Sequence, residues 1–332
     1  MKLFATSAYE RHACLDNLRQ LATVDTHENH SLVKEAQYAD AILFVEDTHF
    51  DDLQFSQVQQ HPLTLACPNK VFMYNEMDQA WPVLRGLYCS LSNKLIDPEQ
   101  HIAFSYLSTT NHDVASIHAS SVNRQWLYSF VGSMSHPIRR KLLSLKADDA
   151  QILDTSDFCA WNPDQKLANM YQSLYTQTMA VSKFVLCPHG IGPSSLRLFE
   201  TMEAGRVPVI ISDCWSAPPQ IDWDFAVRIP EAEIASIPQV LRQLEPQWQS
   251  RSQAARIAWE TAFSSENMFD SVGNAISELS QTAVTSSTSL AVQLHKYQVL
   301  TRYGFRNAVQ QIAWRSAFHS SAKEATQKEL GV

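Results

Sequence analysis

Residues 183–213 read KFVLCPHGIGPSSLRLFETMEAGRVPVIISD, and this stretch decides the fold class. Phe184, Val185, Leu186 and Cys187 form a short apolar run. Val207, Val209, Ile210 and Ile211 form a second, rich in β-branched side chains, as expected of parallel strands covered on both faces. The loop from Pro188 to Pro193 can continue neither element. Ser194 or Ser195 can then cap a helix whose Leu198, Phe199 and Met202 share one arc, with Arg197 and Glu200 on the other side, and Gly205 ends it. The unit is strand, loop, helix, strand. It gathers a helix N-terminus, two hydroxyls and an arginine at the carboxyl end of a strand, where open α/β sheets bind phosphorylated ligands.

Outward from this unit the pattern repeats. Strands are expected at 2–7, 41–45, 71–74 and 101–104, with helices near 11–21, 51–60 and 82–92. A polar segment at 108–123 reads as a linker. Beyond it, an apolar strand at 126–131 runs into Gly132-Ser133 and a helix at 137–146 that has proline at an early position, and further strands lie near Gln151, Phe184, Val207 and Ala226. Residues 250–263 and 290–328 are helical in character, joined through a Ser/Thr-rich stretch at 280–289. The expected organisation is one α/β domain over 1–122, a second over 123–285 and terminal helices over 286–332.

The chain of 332 residues is long enough for two domains with cores of their own. Its formal charge of −8 argues against a general nucleic-acid or anionic-membrane binder, which needs a basic face, while leaving room for a local basic pocket. Cys14, Cys67, Cys89, Cys159, Cys187 and Cys214 form no C-x-x-C pair and read as reduced core thiols. No apolar run approaches the roughly 18 residues of a membrane span, and the start MKLFATSAYERH has no signal-peptide apolar region, so a cytoplasmic location is expected.

The wording of the segment also resembles the signature of the exostosin-type glycosyltransferases: an F-x-L-C-P-x-G opening, a G-x-x-S-x-R-x-x-E centre and a G-x-V-P-V-I-I-S-D close. Ile221-Asp222-Trp223 followed by Phe225-Ala226-Val227 is similar to a further segment of that family. One position departs: His189 stands where the family has arginine, which would make a phosphate contact there pH-dependent. The resemblance implies a GT-B fold: two Rossmann-like domains face each other across a cleft, and a C-terminal helix returns to brace the first. It implies a bacterial-type soluble enzyme that moves a sugar, with inversion, from a nucleotide-sugar, by analogy UDP-linked, to a glycan or lipid-linked acceptor. Any membrane association would be peripheral, through the acceptor. A non-catalytic nucleotide-sugar or glycan-binding partner of the same fold, or a transferase using GDP-fucose, are the alternatives.

The donor site then comprises Arg197 for the diphosphate, the loop carrying His189, Gly190, Gly192, Ser194 and Ser195, and Glu200 for the ribose hydroxyls. Without the resemblance Glu200 reads as an i,i+3 ion pair with Arg197. Gly132 and Arg139, after the strand at 126–131, are further donor candidates, whereas Arg140 reads as surface. The base that takes the acceptor proton should come from the first domain, where Glu76, Asp78 and Asp47 follow strands, with Glu46 and His49 beside Asp47. No metal or other cofactor is expected. The Asp222-Trp223-Asp224 triplet lies in the family segment with nothing nearby to complete an oxygen shell.

Overall fold

The computed structural model describes residues 1–49, 51–108, 111, 113–120, 122–145, 147–157 and 165–282. Two parallel sheets organise them. The first runs β2-β1-β3-β4-β5-β6, with β1 Lys2–Thr6, β2 Ser31–Leu32, β3 Ala41–Glu46, β4 Val71–Asn75, β5 Gly86–Tyr88 and β6 His101–Ala103. The second runs β11-β10-β9-β7-β8, with β7 Trp126–Gly132, β8 Ala150–Asp154, β9 Ser182–Pro188, β10 Val207–Ile211 and β11 Val227–Arg228. Around them lie α1 Ala13–Val24, α2 Ser56–Gln60, α3 Pro62–Ala66, α4 Val114–Ile117, α5 Pro137–Leu142, α6 Gln165–Ala180, α7 Leu196–Glu203, α8 Ile237–Leu244, α9 Trp248–Ala262 and α10 Met268–Ser280. Every strand pairing is parallel. Strands β3, β4 and β10 are buried along their whole length, which is why they read as unbroken apolar runs. This is the GT-B arrangement.

Both sheets share one winding. In each, the first strand lies between the second and the third, so the chain reverses direction across the sheet at one point: between β1 and β3, and between β7 and β9. Crevices outside the carboxyl ends of the strands open at such points. The two halves are joined by a continuous apolar core in which Leu3, Leu43, Phe104 and Tyr106 of the first half meet Leu198, Phe199 and Met202 of α7 and Phe263 after α9. Tyr106 and Phe263 both pack edge-on against Phe199, with ring centroids 6.0 and 5.2 Å away.

Two expectations are corrected. Residues 82–92, expected to be helical, contain strand β5. Gly86 has φ +153°, and a Cβ there would strike the main chain of Met73 on β4, so glycine makes the short strand possible. The expected linker at 108–123 holds α4, whose Val114 and Ile117 pack on Met179, Val185 and Ala204 of the second half. The segment after α9 is also helical: Phe269, Val272, Ile276 and Leu279 of α10 enter the core shared with Leu3, Leu15 and Leu87. Helix α10 thus lies against the first sheet, where Asn29 donates to Asp270 at 3.0 Å and Arg85 reaches the Leu279 carbonyl. The terminal helices expected over 286–332 lie outside the described residues.

Candidate functional site

At the reversal point of the second sheet, β7 ends at Gly132 and β9 at Pro188. Between β9 and α7 the loop folds on itself, with the Gly190 N–H donating to the Gly192 carbonyl at 3.0 Å and the His189 N–H to the Ile211 carbonyl at 2.8 Å. Ser195 is the helix cap: its backbone is extended and its hydroxyl accepts from the Arg197 N–H at 3.2 Å. The Ser194 N–H donates across to Ser90 Oγ of the first half at 3.2 Å. Two of the loop N–H groups expected to meet a ligand are therefore already paired within the protein.

Two arginines converge here. Arg139 of α5 is only 8% exposed and donates to the carbonyls of His189 (3.2 Å) and Ser133 (3.1 Å). Arg197 of α7 donates to the Val131 carbonyl at 2.6 Å and lies 4.6 Å above the Phe130 ring, the ring that Arg139 also approaches at 5.7 Å. Gly132 and Gly190 leave the room they need: a Cβ on Gly132 would stand 2.6 Å from Arg197 Nη2, and one on Gly190 would strike Arg139 Nη2. Neither guanidinium has a carboxylate within ion-pair distance among the described residues, and the buried Nε of Arg197 has no hydrogen-bond acceptor. Burial first, then the neighbouring Arg197 charge, pushes Arg139 down to about 9, with Asp78 partly offsetting both. Two neighbouring cations, one buried and one half-buried, held by carbonyls and a ring, are an arrangement suited to a multiply charged anion.

Glu200, one turn along α7, accepts a 2.6 Å hydrogen bond from the Tyr175 hydroxyl of α6. No ion pair to Arg197 forms within 4.0 Å; instead Arg197 lies 5.6 Å above the Tyr175 ring. Tyr175 escaped the sequence reading because its partners lie across the fold, with no spacing to announce them. The ring of His189 stacks on His136 at 4.2 Å and pairs with Glu231 at 3.1 Å, so it is the carbonyl of His189, and not its imidazole, that touches Arg139. Burial, then His189, lowers His136 to about 4.

The carboxylates of the first half divide sharply. Glu76 is buried and accepts from the main chain of Leu107 and Ser108, from Ser108 Oγ at 2.6 Å and from Cys14 Sγ at 3.2 Å. Its lone pairs are committed to tying β4 to the segment after β6. Asp78 faces the donor loop, since a Cβ on Gly192 would strike its carbonyl oxygen; burial raises its carboxyl to about 6, with Arg139 opposing. Asp47 stands at the reversal point of the first sheet, 3.9 Å from Arg11 Nη2 and 3.7 Å from His49 Nε2. The exposed carboxylates of Asp222 and Asp224 flank a turn in which the Asp224 N–H donates to Asp222, while Trp223 packs at 4.9 Å on Trp215. Among the described residues no group of three or more His, Cys, Asp or Glu could hold a metal ion.

Known proteins match part of this chain. The exostosin GT47 domain matches residues 56–244. The Exostosin-1 homolog of Caenorhabditis elegans is 36% identical over 97 residues, which cover 28% of this chain and 22% of that protein. A probable glycosyltransferase of Arabidopsis thaliana is 25% identical over 162 residues, 46% of this chain and 31% of that protein. The chain thus aligns with less than a third of the length of these relatives. Among solved structures, a glycosyltransferase from Rickettsia africae superposes with a TM-score of 0.43 at 10% identity, over 85% of this chain and 99% of that one.

Proposed function

The chain belongs to the exostosin GT47 family, and on that premise we propose that it is a glycosyltransferase taking a sugar from a nucleoside diphosphate donor, UDP-linked, to a hydroxyl of a glycan or lipid-linked acceptor with inversion. The observation that carries the reading is the Arg139–Arg197 pair, a buried and a half-buried guanidinium with no carboxylate at ion-pair distance among the described residues, at the reversal point of the second sheet. Displacement at the anomeric carbon leaves a diphosphate whose charge grows along the reaction, and two fixed cations hold that charge without reorganising. They supply positive charge where other transferases recruit a divalent ion, so activity is expected to survive EDTA.

In this reading Glu200, oriented by Tyr175, accepts from the ribose diol, and Gly132 and Gly190 let the two guanidiniums lie close against the main chain where the diphosphate binds. The first half supplies the acceptor surface. No helix among the described residues is long and apolar enough to cross a membrane, which accords with peripheral contact through a lipid-linked acceptor. Calorimetric titration with UDP and GDP, followed by a turnover screen of nucleotide-sugars, tests the reading. UDP binding with sugar transfer supports it; no nucleotide binding overturns it, and nucleotide binding without transfer to any acceptor leaves a binding protein of the same fold.

A further inference from the structure

The reversal point of the first sheet holds a second constellation that the donor chemistry does not use. At the end of β3, Glu46 is 1% exposed and accepts from Ser7 Oγ and from the Ala8 N–H, both at 2.8 Å, so its carboxylate is fixed by the loop that follows β1. Its Oε2 lies 3.2 Å from His49 Nε2. The His49 ring lies flat on Tyr9, with centroids 3.6 Å apart and planes 15° apart, and Phe55 meets its edge at 6.0 Å. Tyr9 is in turn held by its hydroxyl bond to Asp52 at 2.9 Å. Around the imidazole the charged and titratable groups are Glu46 and Asp47 on its own segment, Tyr9 and Arg11 on the segment after β1, and Asp52 beyond.

This geometry selects a tautomer. A buried carboxylate at Nε2 makes that nitrogen the protonated one, which leaves the lone pair on Nδ1, an atom with no hydrogen-bond partner among the described residues. A stacked ring, a carboxylate fixing one nitrogen and a lone pair on the other are the features of a positioned general base. Its location fits as well. Glu46 pairs in register with Asn75 of β4, and the segment after β4 carries Asp78 to the donor loop at Gly192. The imidazole thus stands on the sheet edge that faces the donor loop, on the acceptor half.

We propose that His49, oriented by Glu46, is the general base of the transfer. The role rests on the reading of the protein as an inverting glycosyltransferase. The acceptor hydroxyl gives its proton to Nδ1 as its oxygen lone pair forms the new bond to the anomeric carbon. The bond from that carbon to the β-phosphate oxygen breaks, and its electron pair leaves with the nucleoside diphosphate on the arginine side. The proton on the imidazolium then passes to solvent, and Glu46, a positioning residue, stabilises the transient positive charge.

The experiment compares wild type, His49→Ala, His49→Gln and Glu46→Gln for UDP affinity by calorimetry and for kcat with a UDP-sugar across pH. General-base removal is expected to lower kcat by about 10²–10⁴-fold in both His49 variants while UDP affinity stays within about twofold. Because Glu46→Gln removes the fixed carboxylate that holds the ring and its tautomer, it should lower kcat while UDP affinity stays within about twofold. Wild-type rates in a folded His49→Ala or His49→Gln, with wild type active, would overturn the role and leave the transferase reading standing. Loss of UDP affinity in step with kcat would make His49 a scaffold residue. Should wild type neither bind nor turn over any nucleotide-sugar, the transferase reading fails and the base role with it. A wild-type kcat in folded Glu46→Gln would overturn the positioning role alone.

Discussion

The two reversal points are the same place in two copies of one topology, and they carry opposite chemistry. At the second sheet, the elements after β7 and β9 present Arg139 and Arg197 with no carboxylate at ion-pair distance from either among the described residues. At the first, loops after β1 and β3 present Glu46, Asp47 and Asp52 around His49, with Arg11 as the cation at their edge. The strand order fixes where a crevice forms, and the loop residues decide which ligand charge it tolerates. On the proposed reading an anion belongs on the second half, and a neutral polyol with an ionising hydroxyl on the first.

The largest test joins the two crevices. Gly192→Val should drive a side chain into the Asp78 carbonyl and toward Ser90 Oγ, forcing the halves apart where they meet. Misplacing reacting groups by an ångström costs on the order of 10²-fold in rate, so kcat should fall by that much while UDP still binds. A wild-type rate would show that the contact between the halves is not needed for reaction. Next, Arg197→Ala should weaken UDP by about 1.5–3 kcal/mol, because it deletes a charge-assisted contact, while Asp47→Asn at the other crevice leaves UDP affinity unchanged. Equal losses in a calorimetric titration would erase the division between a cationic and an anionic half.

Asp78, between the crevices, gives a smaller effect with a defined sign. Its folded value of about 6 lies above the unfolded 3.8, so the stability associated with its protonated form is complete below about pH 4 and lost as pH rises through 6. Asp78→Asn should therefore be more stable than wild type by about 3 kcal/mol at pH 8 and indistinguishable at pH 3.5, measured by denaturant unfolding at both values. The smallest expectation concerns His189. Since its ring pairs with Glu231 and only its carbonyl meets Arg139, His189→Ala should change UDP affinity by less than about twofold at any pH between 5.5 and 8.5. A larger, pH-dependent loss would place the imidazole beside the phosphates after all.

Much of this was legible in the chain. Apolar runs as continuous as Val71–Asn75 and Val207–Ile211 announce buried parallel strands, and the cap at Ser195, the stop at Gly205 with φ +59° and the inward arc of α7 follow from local spacing. Strand β5 was hidden because three residues carry no period, and its determinant is a glycine facing another strand's main chain. The Tyr175–Glu200 bond and the closure of Ser7 on Glu46 were hidden for a related reason: their partners are separated by 25 and 39 residues and meet only through tertiary packing. The engagement of Glu76 by the main chain of Leu107 and Ser108 is of the same kind. A carboxylate at a strand end reads alike whether it faces a crevice or a neighbouring loop.

The return of α10 to the first sheet has a consequence for the order in which the molecule can be made. Leu3, Leu15, Leu18 and Leu87 leave a ribosome well before the residues that finish covering them, Phe269 to Leu279, which come more than 150 positions later. Until those arrive, the nascent first half carries an open apolar face, and a chain stopped after Phe263 should aggregate or be held by chaperones more than one that continues through Ser280.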